Sequence, residues 1–555
     1  MQKKYKVMAA LLAASVLLQV SPVQAADKLP TAYMNTLSQV TEKYPSTRTQ
    51  GNYSACWAFT AVSLAEFDLI ADDAVANPSI DLSELELAYQ TCHPATDAFG
   101  GTKGDGLSYM TGYLDTGGNL NYSSRTLLQW RGLVSEETVP YSLAYSYQGG
   151  NAQEKEAAHL QNVYILKLKK EQSSVKKEII RHGAAGIGLY FSNRAGFDQT
   201  AFYQGNVVST YYCASENKAY TPNHTAVIVG WDDDFPADNF KEKPRENGAW
   251  LVRNSWSDTS SNSISSYFWL SYEDKSLDEN AWIMDFEPAD NYDYIYQYDG
   301  CPVVGKVCSC TAAANVFQAK GAPVELLKAV SVTLNEDTLV PYTIKIYTNL
   351  SDPANPQSGI LEASVSGKTS YAGTYTIPLS RPLCLQKGSR YGIVVELQKK
   401  NAGIDMEIAA KQYPLKSMAE IKKNQSFLYR NGIWKDVSVS SGMNNVGNLC
   451  IKGYTDQTKE RAGSIQGFRA GSASGTAVKL SWSSRGDAQG YELYRADSKN
   501  GTYRKIATVK GKSYKNTGLK KGKTYYYKVR AYQKKNGVKI TGKLSSAVKV
   551  TTKRG

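Results

Sequence analysis

The chain has 555 residues, a formal net charge of +13 at pH 7 and 42% hydrophobic residues. That length is too great for one hydrophobic core and predicts about three domains. Its one long apolar run, Val7 to Val20, is too short to span a bilayer comfortably, which excludes a polytopic membrane protein.

From the N-terminus, residues 1–25 read as a secretory signal peptide. Basic Lys3, Lys4 and Lys6 precede the apolar run, and Val23-Gln24-Ala25 supplies a small-residue cleavage site. The mature chain is therefore expected to be secreted, without a transmembrane anchor. Export permits disulfides among the eight cysteines at 56, 92, 213, 301, 308, 310, 384 and 450. The cluster Cys301, Cys308, Cys310 lacks a nearby histidine and the usual zinc-ligand spacing, so no metal site is expected there.

Next comes Gln50-Gly-Asn-Tyr-Ser-Ala-Cys56-Trp57. Trp57, Phe59, Val62, Leu64, Ala65, Phe67 and Leu69 recur at three- and four-residue spacing, which predicts an amphipathic helix with Ser54 as N-cap and Cys56 in its first turn. A helix N-terminus favours a thiolate, the reactive form of cysteine. A buried structural cysteine would show the same local pattern, so its partners decide.

Four histidines are available. His93, between Cys92 and Pro94, reads as a turn residue. His159, in a charged and alanine-rich stretch of helical character, and His182, at the end of a predicted helix, read as surface residues. His224 differs, because it opens His224-Thr-Ala-Val-Ile-Val-Gly230-Trp231, a β-branched run that predicts a buried strand. A polar loop from Trp231 to Gly248 follows. Gly248-Ala-Trp-Leu-Val-Arg-Asn254-Ser255-Trp256 is then a second strand. Its asparagine can accept a histidine ring N–H, and its indole can shield that bond.

In the order Gln, Cys-Trp, His, Asn-Ser-Trp, residues 29 to 286 resemble the papain-type cysteine peptidases. Leu82-Ser83-Glu84 and Val139-Pro140-Tyr141 are similar to further family segments. The resemblance implies a helical lobe and a β-rich lobe with a cleft between them. It implies Cys56 as nucleophile, His224 as its acid–base partner, Asn254 as the group orienting His224, and Gln50 with the Cys56 N–H as oxyanion hole. Such chemistry uses no metal and no organic cofactor.

The chain departs from the family pattern in several places. Tyr53 stands where the plant and animal enzymes have a disulfide cysteine. Gly101 to Gly106 only loosely resembles the family's Gly-Cys-Asn-Gly-Gly segment, and it would put Gly104 at the border of the substrate groove. His224 and Asn254 follow Cys56 by 168 and 198 residues, a separation that implies insertions. Leu29-Pro30 resembles a mature peptidase start, which leaves no room for a long inhibitory propeptide.

After Gly300 the sequence becomes short alternating strands separated by Asn, Pro, Gly and Ser, a β-sandwich pattern. Ile346 to Leu350, Pro356 to Gly359 and Tyr371 to Tyr375 make this part similar to the lectin-like domain of secreted clostridial proteins, which leaves two roles open, glycan binding or a sandwich that braces the peptidase. From residue 463 a last module resembles fibronectin type III, with Trp482 in its core and Tyr525 at the tyrosine-corner position. It carries 22 Lys or Arg against 3 Asp or Glu, so everything before it nets about −6. Such polarity suits attachment to anionic polymers, and no motif points to nucleic acid.

The expected fold class is an α+β papain-like two-lobed domain followed by two all-β sandwich domains. The expected boundaries are a signal peptide over 1–25, the peptidase domain over 26–288, the lectin-like domain over 289–456 and the fibronectin-like domain over 463–555. Two readings of function follow. One is a secreted cysteine endopeptidase acting on proteins or peptides, held at a cell-wall polymer or glycan by its C-terminal domains. The other is a surface adhesin or glycan-binding protein whose peptidase fold survives as an inactive scaffold. Four intact catalytic residue types favour the first, since a scaffold need not keep them.

Overall fold

The computed structural model describes residues 28–74, 80–150, 155–192, 196–215, 221–256, 265–307, 310–334, 336–412, 414–440 and 445–554. The expected signal peptide and Cys308 lie outside the described residues, and Cys56, Cys92, Cys213, Cys301, Cys384 and Cys450 are free thiols. Among the described residues no helix is long and apolar enough to cross a membrane.

The first domain contains helices α1 (Leu37–Lys43), α2 (Cys56–Ala71), α3 (Glu84–Cys92), α4 (Leu120–Leu127) and α5 (Gln172–His182). Its strands are β1 (Ala32–Tyr33), β2 (Gly106–Tyr109), β3 (Leu133–Val134), β4 (Glu156–Lys167), β5 (Ala185–Leu189), β6 (Phe197–Tyr203), β7 (Asn206–Tyr211), β8 (His224–Asp232), β9 (Ala249–Arg253), β10 (Tyr267–Ser271) and β11 (Leu277–Pro288). Strands run in the order β4-β11-β5-β8-β9-β10-β7-β6. Helix α2 lies between α3 and α4 on one side and β11, β8 and β5 on the other, so it is the element both lobes share.

That position corrects the amphipathic expectation for α2. Every side chain from Trp57 to Ile70 is buried, as befits a helix covered all round. Its two acids are buried because they are paired. Glu66 accepts from Arg48 at 2.7 Å and from the Leu82 N–H at 2.9 Å, and Asp68 bonds His182 Nδ1 at 2.6 Å. The cap is also corrected: Ala55 occupies the N-cap with no side-chain bond, while the Ser54 N–H is engaged by the Leu114 carbonyl at 2.7 Å.

Two histidines read as surface residues are buried instead. His182 ends α5 as expected but faces Asp68. His159 lies on strand β4, not on a helix, and its ring bonds Asn291 and Glu156. Each ring is buried with a polar partner, which is what makes burial affordable. The loop from Trp231 to Gly248 is likewise packed, with Phe235 and Phe240 buried and Asp232 accepting from Asn35 at 2.8 Å.

Beyond β11 the lectin-like unit is a pair of β layers, and its strand Ala372–Gln386 adds to the free edge of β4. Ala372, Gly373 and Thr374 pair with Ile165, Tyr164 and Val163, so one sheet runs through both domains. Gly373 has φ +138, and a Cβ there would collide with the Val163 carbonyl oxygen, so the junction requires glycine. A second link is buried: Arg125 of α4 pairs with Asp405 at 2.9 Å and donates to Thr333 at 3.1 Å. The last module has Trp482 and Tyr525 in its core, with the Tyr525 hydroxyl accepting from the Lys520 N–H at 3.0 Å. It packs on the lectin-like unit through Ile360, Tyr494, Ala496 and Tyr503.

Candidate active site

Cys56 is the first residue of α2, partly exposed at the floor of a cleft of about 720 Å³ between the two lobes. The unpaired N–H groups of that first turn and the positive end of the helix dipole face the sulfur's surroundings. Across the cleft, His224 opens β8 and bonds the thiol. Burial on its own pushes the Cys56 thiol up. The hydrogen bond and charge of His224, joined by hydrogen bonds from Thr225, outweigh it and bring the thiol down to about 7.

The next strand fixes the imidazole. Asn254 follows β9, and its Oδ1 lies 2.8 Å from His224 Nε2 while also accepting the Ser255 N–H at 2.9 Å. An atom that accepts a backbone N–H is the amide oxygen, so Nε2 carries a proton and donates it to Asn254. That leaves Nδ1 for the thiol. Trp256 stacks on the imidazole with ring centroids 4.5 Å apart and planes 6° apart, covering one face of the ring.

Ser255, between them, ties in the remaining residue. Its carbonyl accepts the Gln50 N–H at 2.9 Å and its hydroxyl donates to Gln50 Oε1 at 2.5 Å. The Gln50 amide nitrogen donates one hydrogen to the Tyr53 carbonyl at 2.6 Å, which leaves its second N–H for the cleft that Gln50 and Cys56 line together. Gln50, Cys56, His224 and Asn254 thus meet in one place, a set with the chemistry to supply a nucleophile, a base, an orienting group and an oxyanion donor.

Gly104 does not join them. It lies in the loop before β2, which pairs with strand Leu415–Met418 of the lectin-like unit, and a Cβ at Gly104 would meet the Glu420 carboxylate. The glycine edge of the cleft is Gly117-Gly118, where a Cβ on Gly118 would come within 2.6 Å of the Trp57 indole. Its sequence signal was a Gly-Gly pair directly before Asn119, the N-cap of α4. Thr225 was also missed, although it is the residue after His224.

The model of the papain family of cysteine proteases matches residues 36–282, that of the lectin-like domain residues 295–455, and that of the fibronectin type III domain residues 463–545. Peptidase 1 of Dermatophagoides farinae is 26% identical over 223 residues, 40% of this chain and 56% of that protein. Chitinase C of Streptomyces lividans is 38% identical over 132 residues, 21% of this chain and 20% of that protein. The chain thus spans from about a fifth to about half of these curated relatives. Among solved structures, the clostridial cysteine protease Cwp84 after propeptide cleavage aligns with a TM-score of 0.62 at 24% identity, covering 77% of this chain and 99% of that one. A structure of the cysteine protease and lectin-like domains of Cwp84, a surface layer associated protein of Clostridium difficile, gives 0.60 at 23% identity, covering 78% and 90%. These two likenesses are of fold.

Proposed function

Because the chain carries a papain-family cysteine protease domain followed by lectin-like and fibronectin type III domains, we propose that it is a secreted cysteine endopeptidase whose C-terminal domains hold it at a surface polymer or glycan. The observation that carries this reading is the bonded series Cys56–His224–Asn254 at the head of α2, with Gln50 lining the same cleft.

The Cys56 thiolate attacks the scissile carbonyl carbon. The carbonyl oxygen takes negative charge as the tetrahedral adduct forms, and the Gln50 amide with the Cys56 N–H stabilises it. The His224 imidazolium gives its Nδ1 proton to the leaving amine, and the C–N bond breaks to leave a thioester. His224 then removes a proton from water, which attacks the thioester and releases the acid and the thiolate. Asn254 and Trp256 hold the ring in plane through both transfers.

The surface role is supported by the charge polarity of the last module and by likeness to chitinases, enzymes named for a polysaccharide. The test of the peptidase reading is labelling of the full chain with an iodoacetamide or epoxide reagent, followed by peptide mapping and a peptide-hydrolysis assay. Fast labelling at Cys56 with parallel loss of hydrolysis is expected. Equal labelling of several cysteines without hydrolysis would leave the adhesin reading.

A further inference from the structure

Helix α5 carries two side chains on one face whose polar atoms meet without bonding. Glu178 and His182 stand at i and i+4, and Glu178 Oε2 lies 3.6 Å from His182 Nε2. That is beyond the roughly 2.7–3.2 Å of a hydrogen bond. Neither atom has a hydrogen-bond partner among the described residues, although both are shielded from solvent. The His182 side chain is 3% exposed.

The tautomer makes this gap costly. His182 Nδ1 lies 2.6 Å from Asp68 Oδ1, while the other Asp68 oxygen accepts the Phe286 N–H. An ionised carboxylate only accepts, so Nδ1 carries the ring proton and Nε2 points a lone pair at the Glu178 oxygen. Two buried acceptors face to face need a cation between them. More negative charge stands close by. Asp285 places a carboxylate oxygen within 4.8 Å of a His182 ring nitrogen and of an Asp68 oxygen. Among the described residues no Lys or Arg forms an ion pair with Asp68, Glu178 or Asp285, whose pairing is with His182.

We propose that His182 Nε2 and Glu178 Oε2 are ligands of a divalent transition-metal ion, with Zn2+ the best match to their chemistry. Two ligands about 2.0–2.1 Å from a tetrahedral zinc stand about 3.3 Å apart, close to the gap observed. A neutral imidazole nitrogen with a carboxylate oxygen suits zinc, whereas calcium and magnesium favour oxygen ligands. Both ligands are already held from behind. Asp68 accepts the Nδ1–H, the carboxylate–histidine arrangement that fixes a metal-binding ring, and the Tyr371 hydroxyl donates to Glu178 Oε1 at 3.0 Å. Glu178 is 13% exposed, so the ion has a way in and water can complete its coordination. Asp68 belongs to α2, the helix of Cys56, and Tyr371 to the lectin-like unit, directly before the strand that joins β4. A metal at this point braces the seam between the two units, independently of what the cleft does.

The test uses the full chain without a histidine tag, stripped with EDTA and alkylated with iodoacetamide so that Cys56 does not compete for the ion. Zinc chloride is then titrated calorimetrically. One saturable site per chain is expected, and Co2+ in its place should give a d–d spectrum without a thiolate charge-transfer band. At a zinc concentration about 100 times Kd the melting temperature should rise by about 3 °C. Glu178→Gln keeps an acceptor for Tyr371 and offers an N–H to His182 Nε2, so without metal it should melt no lower than wild type. It should nevertheless bind zinc at least tenfold more weakly. A wild type with no saturable zinc site overturns the inference, and an imidazolium shared between two carboxylates then fills the gap. Equal zinc affinity in Glu178→Gln overturns it as well, because the ion would then sit elsewhere.

Discussion

His224 donates its Nε2 proton to Asn254 Oδ1 across 2.8 Å, and the Trp256 indole lies flat over the ring. The bond settles the tautomer of His224 and points Nδ1 at Cys56. Asn254→Ala removes the restraint on the ring without removing the thiol or the imidazole. Turnover should fall on the order of 100-fold, the usual cost of a small misplacement at a reacting centre, while Cys56 remains the thiol that alkylates fastest. Steady-state hydrolysis and alkylation of the same protein check this, and an unchanged kcat would remove Asn254 from the orienting role.

The reactivity of Cys56 should rise through a pH of about 7. Only the thiolate attacks, so alkylation accelerates as pH passes the thiol's pKa from below. His224→Ala takes away the hydrogen bond and the charge but leaves the burial that pushes the thiol up. The midpoint should therefore move to higher pH, with alkylation at neutral pH slowed at least tenfold. A pH series of iodoacetamide rates on both proteins measures it. Coincident profiles would mean that His224 is not the partner.

Thr225 makes a narrower prediction. Its hydroxyl bonds the Cys56 sulfur and in turn accepts from Thr60 at 3.2 Å. Thr60 stands one turn below Cys56 on α2. Thr225→Val keeps the shape and the backbone N–H but deletes the hydroxyl donor. The thiol midpoint should rise by about one pH unit, equivalent to roughly 1.4 kcal/mol of lost preference for the thiolate. Thr225→Ser should restore it, a result that packing alone would not give.

The residue types of the candidate site were legible in the sequence because each sits in a local pattern: a cysteine opening an apolar run, a histidine opening a β-branched strand, and Asn-Ser-Trp closing the next strand. Groups placed by strand pairing were not legible. Asp278 faces the cleft only because β11 lies beside β5, a pairing between strands 88 residues apart at Leu277 and Leu189. His159 and His182 look like surface residues beside charged neighbours, and only tertiary contacts with Asn291 and Asp68 bury them. Gly104 was misplaced for a related reason, since the loop before β2 is held by a strand more than 300 residues away in sequence.

The continuous sheet makes a prediction about modularity. Arg125 and Asp405 form a buried pair between the peptidase and lectin-like units. Arg125→Ala leaves a buried carboxylate without its cation and should cost about 3–5 kcal/mol. Calorimetry of the full chain should show these two units melting in one transition, shifted down in the variant. A peptidase fragment ending at residue 288 would lose the strand that covers β4 as well, and should melt lower still. Two separate transitions, with only one moved by Arg125→Ala, would show that the shared sheet does not couple them.

The last module is where the positive charge lies, 22 Lys or Arg against 3 Asp or Glu, and this sets the final prediction. Removing residues from about 460 onward should leave hydrolysis of small peptides intact, because the cleft lies in the first domain, but should weaken retention on acidic polymers. Deletion has a side effect, however. It uncovers Ile360, Val324 and Cys384, which pack against Tyr494, Tyr503 and Ile540. A set of substitutions that keeps the module separates charge from exposure. Lys510, Lys512, Lys515, Lys520 and Lys521 are all solvent-exposed, so changing them to Gln removes five charges with little effect on the core. Retention on an anionic matrix should fall in both forms. For wild type it should decline steeply between low and physiological salt, as exposed charges become screened over about 8 Å. Bound fraction against ionic strength, for all three proteins, is the measurement. If the five-fold Gln variant is held as firmly as wild type while the deletion is released, shape recognition by the module and not its charge anchors the protein.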